Sequence, residues 1–275
     1  MKELENLKET ILRDAPRFTE TDKFRFSCHK GLNCFTQCCA DVTIFLTPYD
    51  IIRMKNRLGI SSDEFLAAYT FVPFTEQQKV PVIVLKMGDD EQKTCPFLTP
   101  EGCSIYEDRP WACRMYPLGL ASPSEDGSAI KQQFYFVMQE GNCCGFSEDK
   151  EWTVAEWIEN QGVTLYNQMG ESFKGITLHE FFRTGGRLEP EKMEMLYMGC
   201  YHLDKFRRFV FESKFLECFD IDPELVARIR SDDVELMEFA FQWLKFALFN
   251  EPTVKIRGSV LEAKRQKLLG KEQPK

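Results

Sequence analysis

Histidine is scarce in this sequence, three residues in 275, and no CxxC pair occurs anywhere in it. The scarcity of histidine removes the HExxH helix of zinc proteases, because the run that opens at His179 has Arg183 where the second histidine belongs. The missing CxxC removes the usual zinc knuckle, which offers two thiolates from one tight turn. Neither cysteine run of the ferredoxin-type clusters is present. A CxxxCxxC run of the radical S-adenosylmethionine kind would need a third cysteine at position 41, which is Asp41. GxGxxG, GKS/GKT and GxSxG are absent as well, so nothing points to a nucleotide cradle or a serine hydrolase.

Long apolar runs are missing too. A membrane span takes about 18 or more nearly uncharged residues. The best stretch, Leu236 to Phe249, is broken by Glu238, Gln242 and Lys245 and is expected to be a buried helix. Positive charge is short overall: the formal net charge of −8 excludes a broad basic face for nucleic acid. The exception is residues 255–275, where seven Lys/Arg stand against two Glu and the expectation is a flexible basic tail. The segment MKELENLKETILRDAPRF is charged throughout and has no apolar stretch of about 7–15 residues, so no secretory signal is expected and the expected compartment is the reducing cytoplasm. There, clustered cysteines bind metal or do redox chemistry more often than they form structural disulfides.

Cysteine is what the sequence has in excess. Nine of the eleven lie between positions 28 and 144, in three groups: Cys28, Cys34, Cys38 and Cys39; Cys95, Cys103 and Cys113; and the vicinal pair Cys143 and Cys144. Cys200 and Cys218 stand alone within helical pattern and read as small core residues. Packing alone does not explain two vicinal pairs. Thiolates suit zinc, iron–sulfur clusters and Cu(I) rather than magnesium, and nine sulfurs supply two four-ligand sites with one over. If Cys34 to Cys38 is helical, those two thiols share a face and Cys39 points about 100° away, toward a second metal or out of an irregular backbone. Arg109 and Arg114 flank Cys113 and are candidates to offset thiolate charge or donate to sulfur from outside the ligand shell, Arg114 the more strongly; Arg109 could equally pair with Glu107 or Asp108. His29 is a possible nitrogen ligand or simply a loop residue.

The remaining pattern predicts an α+β protein, with an irregular, metal-organised N-terminal half of short strands and helices and a helical C-terminal half. The expected divisions are a cysteine-cluster domain over 1–150, a helical region over 151–254 packed on it, and the tail. Residues 1–14 suggest a leading helix and 119–128 an exposed loop. Val42 to Leu46, Val80 to Leu85 and Gln133 to Met138 suggest strands. Thr47 with Pro48, the capping boxes Ser61/Glu64, Thr153/Glu156 and Thr177/Glu180, and starts at Pro190, Pro223 and Ser231 to Asp233 mark helix N-termini.

The runs FSC-x5-C-x3-CC, LTPYD and CPFL-x3-GCSIY-x2-RP-x2-CR-x-YP together resemble the YkgJ-type cysteine-cluster family of zinc- or iron-chelating domains, over roughly residues 24–145. The broad family includes flagellin lysine N-methylase. The resemblance implies that Cys28, Cys34, Cys38, Cys39, Cys95, Cys103 and Cys113 are ligands, with Cys143 and Cys144 at less defined positions. Gaps of five and three residues depart from the compact CxxCxxCC form, so the resemblance does not say which cysteines share a metal. Three functions follow as expectations. The first is a chelator of an iron–sulfur cluster or zinc, in one or two centres, working in redox, metal handling or protein maturation on a protein partner or substrate. The second is a structural-zinc interaction module, and the third a protein-lysine N-methyltransferase, for which no S-adenosylmethionine loop is recognisable.

Overall fold

The computed structural model describes residues 15–73, 78–121, 133–139 and 141–269. The leading helix expected over 1–14 and residues 122–128 of the loop expected over 119–128 lie outside the described residues, and Gly119 to Ala121 of that loop belong instead to a strand, Leu118–Ala121. The fold is α+β, with short strands in the N-terminal half and mostly helices in the C-terminal half. The chain forms two compact units that interleave in sequence. One comprises the described residues up to Asp50 with Val84–Gln168, the other Ile51–Ile83 with the described residues from Met169 onward.

The first unit is built on two antiparallel strand pairs. Lys23–Arg25 pairs with Glu151–Thr153, and Leu118–Ala121 with Phe134–Val137. Their apolar residues meet in a core of Phe24, Phe26, Met115, Leu118, Tyr135 and Trp157, against which the half-buried Cys143 packs. Trp157 sits edge-on to Phe24, Phe26 and Trp152 at ring-centroid distances of 5.9, 5.5 and 5.5 Å, the T-shaped geometry that aromatic quadrupoles favour. Its Nε1–H donates to Met115 O at 3.2 Å, so the polar edge of a buried indole is satisfied. Thr153 and Glu156 cap the helix Val154–Asn160 reciprocally, as their spacing predicts.

The second unit is helical. Asp233–Phe249 is its buried centre, apolar around most of its circumference as a core helix must be, and it packs on Pro190–Tyr201, Leu203–Glu212 and Pro223–Ile229. Phe206, Phe209, Phe215 and Trp243 form an aromatic cluster there. The Ser61/Glu64 box caps Ser62–Tyr69, and Asp222 and Asp232 cap the helices that follow them. The Thr177/Glu180 box does not form. Thr177 is the last residue of Val163–Thr177, with its hydroxyl donating back to Phe173 O at 3.3 Å. The break falls one residue later, and His179 Nδ1 accepts the Phe181 N–H at 3.1 Å as the cap of Glu180–Arg183. Within the basic stretch, Ile256 pairs with Phe219, Arg257 Nε donates to Leu216 O and Phe219 O, and Gly258–Leu269 is helical, while residues 270–275 lie outside the described residues. Among the described residues, no helix is long and apolar enough to cross a membrane.

Candidate metal centre

All nine clustered cysteines lie in the first unit, and none is disulfide-bonded. The first group does not form an α-helix. It is a chain of tight turns, with Leu32, Phe35 and Gln37 N–H each donating to the carbonyl three residues back, ending in the 3₁₀ turn Gln37–Cys39. At three residues per turn, neighbouring side chains diverge by about 120°, so Cys38 and Cys39 leave the backbone in different directions.

The beginning of the first group is tied to the third. Ser27 N–H donates to Gly145 O at 3.0 Å, and Cys144 N–H donates to Cys34 Sγ at 3.1 Å. Gly145 permits this approach: a Cβ there would lie 2.7 Å from the Phe26 ring and 2.9 Å from Ser27 O. The end of the first group is tied instead to the second. Cys95 N–H donates to Cys39 O at 2.8 Å, Ala40 bridges Thr94, and Lys93 Nζ reaches Asp41 Oδ1 at 2.6 Å. Cys103 then returns beside Leu98 in the short ladder Leu98–Thr99 with Gly102–Cys103.

Cys113 is held on the five-residue helix Trp111–Met115, whose start is fixed by Asp50. This fully buried carboxylate accepts the Trp111 N–H on one oxygen at 2.7 Å, and the Thr47 N–H and hydroxyl on the other at 2.7 and 2.8 Å. Burial pushes the Asp50 pKa up to about 6 against these hydrogen bonds and the charge of Arg114. The LTPYD and RPWACRMYP segments are thus joined through one side chain.

Six of the clustered thiols are held toward the protonated form. Burial, then the charges of Cys38, Cys143 and Cys34, pushes Cys28 up to about 11. Cys113 is pushed up to about 12 by burial, then by Cys95, Asp50 and Cys103, with Arg109 opposing. Cys113 is nevertheless open to solvent; a thiol both accessible and crowded by protein lies in a concavity. Cys39 is raised by its hydrogen bond with Cys38, then burial and the charges of Cys38, Cys95 and Cys113. Cys95 and Cys103 are raised by burial, and Cys144 by its hydrogen bond with Cys34. Among the described residues, no three His, Cys, Asp or Glu side chains already stand around a point that would hold an ion. The donor set itself fits a soft cation. It is thiol-rich, and a bound cation would offset the burial and the thiolate repulsion that disfavour ionised sulfur here.

The arginines divide the work differently from the sequence expectation. Arg114 is buried, and its guanidinium donates to three backbone carbonyls, Arg109 O at 3.0 Å, Gln161 O at 2.7 Å and Glu107 O, while lying over the Tyr166 ring. It clamps the loop around Cys113. Arg109, also buried, donates to Tyr106 O and Gln161 Oε1 and stacks on Tyr106. It is the charge of Arg109 that bears on Cys103 and Cys113. His29 has both nitrogens engaged, Nδ1 by the Gly31 N–H and Nε2 by Glu148 at 3.2 Å, as a loop residue and not a poised ligand. Asp50, Gln161 and Gly145 escaped the sequence reading; the Thr47-x-x-Asp50 spacing, a capping box with aspartate at its third position, was the available signal for Asp50.

Residues 27–145 match the sequence profile of the CxxCxxCC family, described as a zinc- or iron-chelating domain. This segment is similar to that family. It is the cysteine-cluster family that the motif spacing resembles, and its limits fall one residue outside Cys28 and Cys144, leaving Cys200 and Cys218 beyond it. No curated protein and no solved structure matches the chain. Within the matched segment, backbone contacts join the first cysteine group to the second and to the third; Cys200 is fully buried in the second unit, where burial raises its pKa, in keeping with a core role.

Proposed function

We propose that the chain binds zinc or an iron–sulfur cluster through thiolates drawn from Cys28, Cys34, Cys38, Cys39, Cys95, Cys103, Cys113, Cys143 and Cys144. Arg109 offsets charge beside Cys103 and Cys113, Arg114 positions the loop that carries Cys113, and the metal serves redox, metal handling or maturation of a protein partner. The supporting observation is the Cys144 N–H to Cys34 Sγ bond of 3.1 Å across 110 positions of sequence, between thiols that remain unoxidised. Such convergence of soft donors from separate loops is how a metal site forms without a CxxC knuckle. A reducing compartment keeps the thiols in this state.

The experiment is anaerobic purification of the full chain with elemental analysis and absorbance. Brown colour with iron and sulfide marks a cluster, and colourless protein with stoichiometric zinc marks a zinc site. A folded, metal-free protein whose nine thiols all react freely with a thiol reagent overturns the proposal. If zinc is found and its removal unfolds the first unit, the metal is structural.

A further inference from the structure

We infer that Cys34 and Cys144 are a redox pair: a peroxide closes them as a disulfide and so withdraws both sulfurs from the candidate metal centre. The pairing stands on the geometry of the two segments, and its effect on the centre rests on the chelation proposed above.

The segments that carry these two residues are laced together. Phe26 N–H donates to Lys150 O at 2.9 Å, Trp152 Nε1–H donates to Phe26 O at 2.9 Å, and Ser27 N–H donates to Gly145 O at 3.0 Å. His29 Nε2 and Glu148 Oε2 are 3.2 Å apart. Next to these ties, Cys144 N–H donates to Cys34 Sγ at 3.1 Å. Since the N–Cα bond adds only about 1.46 Å, that sulfur lies within about 4.6 Å of the Cys144 Cα. The Cys144 thiol is a weak donor, 4.0 Å from Asn142 O, and is exposed. Rotation about its Cα–Cβ bond is the motion that brings its sulfur to that of Cys34, while the braced backbone stays in place.

The vicinal cysteines are poorer partners for one another. Adjacent Cα atoms are about 3.8 Å apart, short of the roughly 4.4–6.8 Å that disulfides span. Closing Cys143 on Cys144, or Cys38 on Cys39, would therefore strain the peptide between them. Cys34 and Cys144, 110 positions apart in sequence, carry no such restraint.

The oxidant is hydrogen peroxide. The thiolate of the exposed Cys144 attacks one peroxide oxygen and the O–O bond breaks. Sulfenic acid forms, and the departing hydroxide takes up the proton the thiol released and leaves as water. The Cys34 thiol then displaces the sulfenic hydroxyl as a second water, and the S–S bond forms. Two thiols give up two electrons and two protons, and the peroxide becomes two waters. Neither sulfur is then available as a thiolate donor.

The test is exposure of the purified full chain to hydrogen peroxide, alkylation of the remaining thiols, and linkage mapping by fragmentation mass spectrometry without reduction. Metal content is measured before and after. The expected product links Cys34 to Cys144, reverts with a thiol reductant, and is absent from Cys34→Ser and from Cys144→Ser. Metal content should fall as the link forms and recover after reduction and resupply of the metal. Fragmentation locates the bond in the unsubstituted chain, so misfolding of either variant leaves the result readable. Cys34 linked to a different cysteine, or Cys34 and Cys144 still alkylated or oxidised to sulfinic and sulfonic acids without a bond between them, overturns the pairing. A Cys34–Cys144 link formed with metal content unchanged overturns the effect on the centre. A chain that takes up neither zinc nor iron overturns the chelation proposal, while the linkage map still decides the pairing.

Discussion

Arg109 and Arg114 show how five positions of sequence separate two roles. Cys113 and Arg114 are adjacent on the short helix Trp111–Met115, so their side chains leave it about 100° apart. The thiol is exposed, whereas the guanidinium is buried on backbone carbonyls. Different losses follow. Arg114→Lys keeps a charge but has no planar fork to hold three carbonyls, and the expected cost is about 2–4 kcal/mol of stability, measured by urea denaturation of the first unit. Arg109→Gln, which removes the positive charge beside Cys103 and Cys113, should weaken metal binding by roughly 10–100-fold, measured by chelator competition.

At the scale of elements, legibility followed sequence distance. The Ser61/Glu64 and Thr153/Glu156 boxes and the proline starts were readable because a cap needs only residues three or four apart. The Thr177/Glu180 box failed because its threonine continued the preceding helix, a competition between two local solutions that spacing alone does not decide. The grouping of the cysteines was legible and their pairing was not. Which loops converge depends on contacts such as Ser27 with Gly145, 118 positions apart, that no local pattern encodes. Gly145 is the tightest of these contacts. Gly145→Val should cost about 1–3 kcal/mol through overpacking on Phe26 and Ser27 O, measured by thermal unfolding.

At the scale of the whole molecule, the two units carry opposite carboxylate chemistry. In the second, Lys55 is buried with its ammonium 2.7 Å from Asp233 and 3.9 Å from Asp204, and Arg207 bonds both carboxylates. Against the burial that raises them, hydrogen bonds from Ser62, Arg207 and Lys55 and the neighbouring positive charges hold Asp204 and Asp233 below the ordinary 3.8. Their contribution is present above that value and is lost as pH falls through the lowered one. Asp50 in the first unit is raised to about 6, so its contribution has the reverse sign: it is greatest below 3.8 and declines as pH rises through 6. Trp243 reports on the second unit, and Trp111, Trp152 and Trp157 on the first. Denaturation of Trp243→Phe should therefore show the first unit losing stability between about pH 4 and pH 6, a slope that Asp50→Asn removes. Lys55→Met should cost the second unit about 1.5–3 kcal/mol, because Asp204 and Asp233 lose the ammonium but keep Arg207.

The interleaving of the two units has a practical consequence for anyone who would cut the protein at its family limits. A fragment spanning residues 27–145 would carry Ile51–Ile83, whose Ile51, Ile52, Met54 and Phe65 are buried within the helical unit, and would leave those helices behind. It would also lose Val154, Trp157 and Val163 from the core on which Cys143 rests. Such a piece would hold every candidate ligand and yet present apolar surface at both ends of its fold. It is expected to aggregate on expression, whereas the full chain stays dispersed by size-exclusion chromatography. The chelating segment is thus a chemical unit without being a foldable one, and its metal chemistry has to be studied in the intact chain.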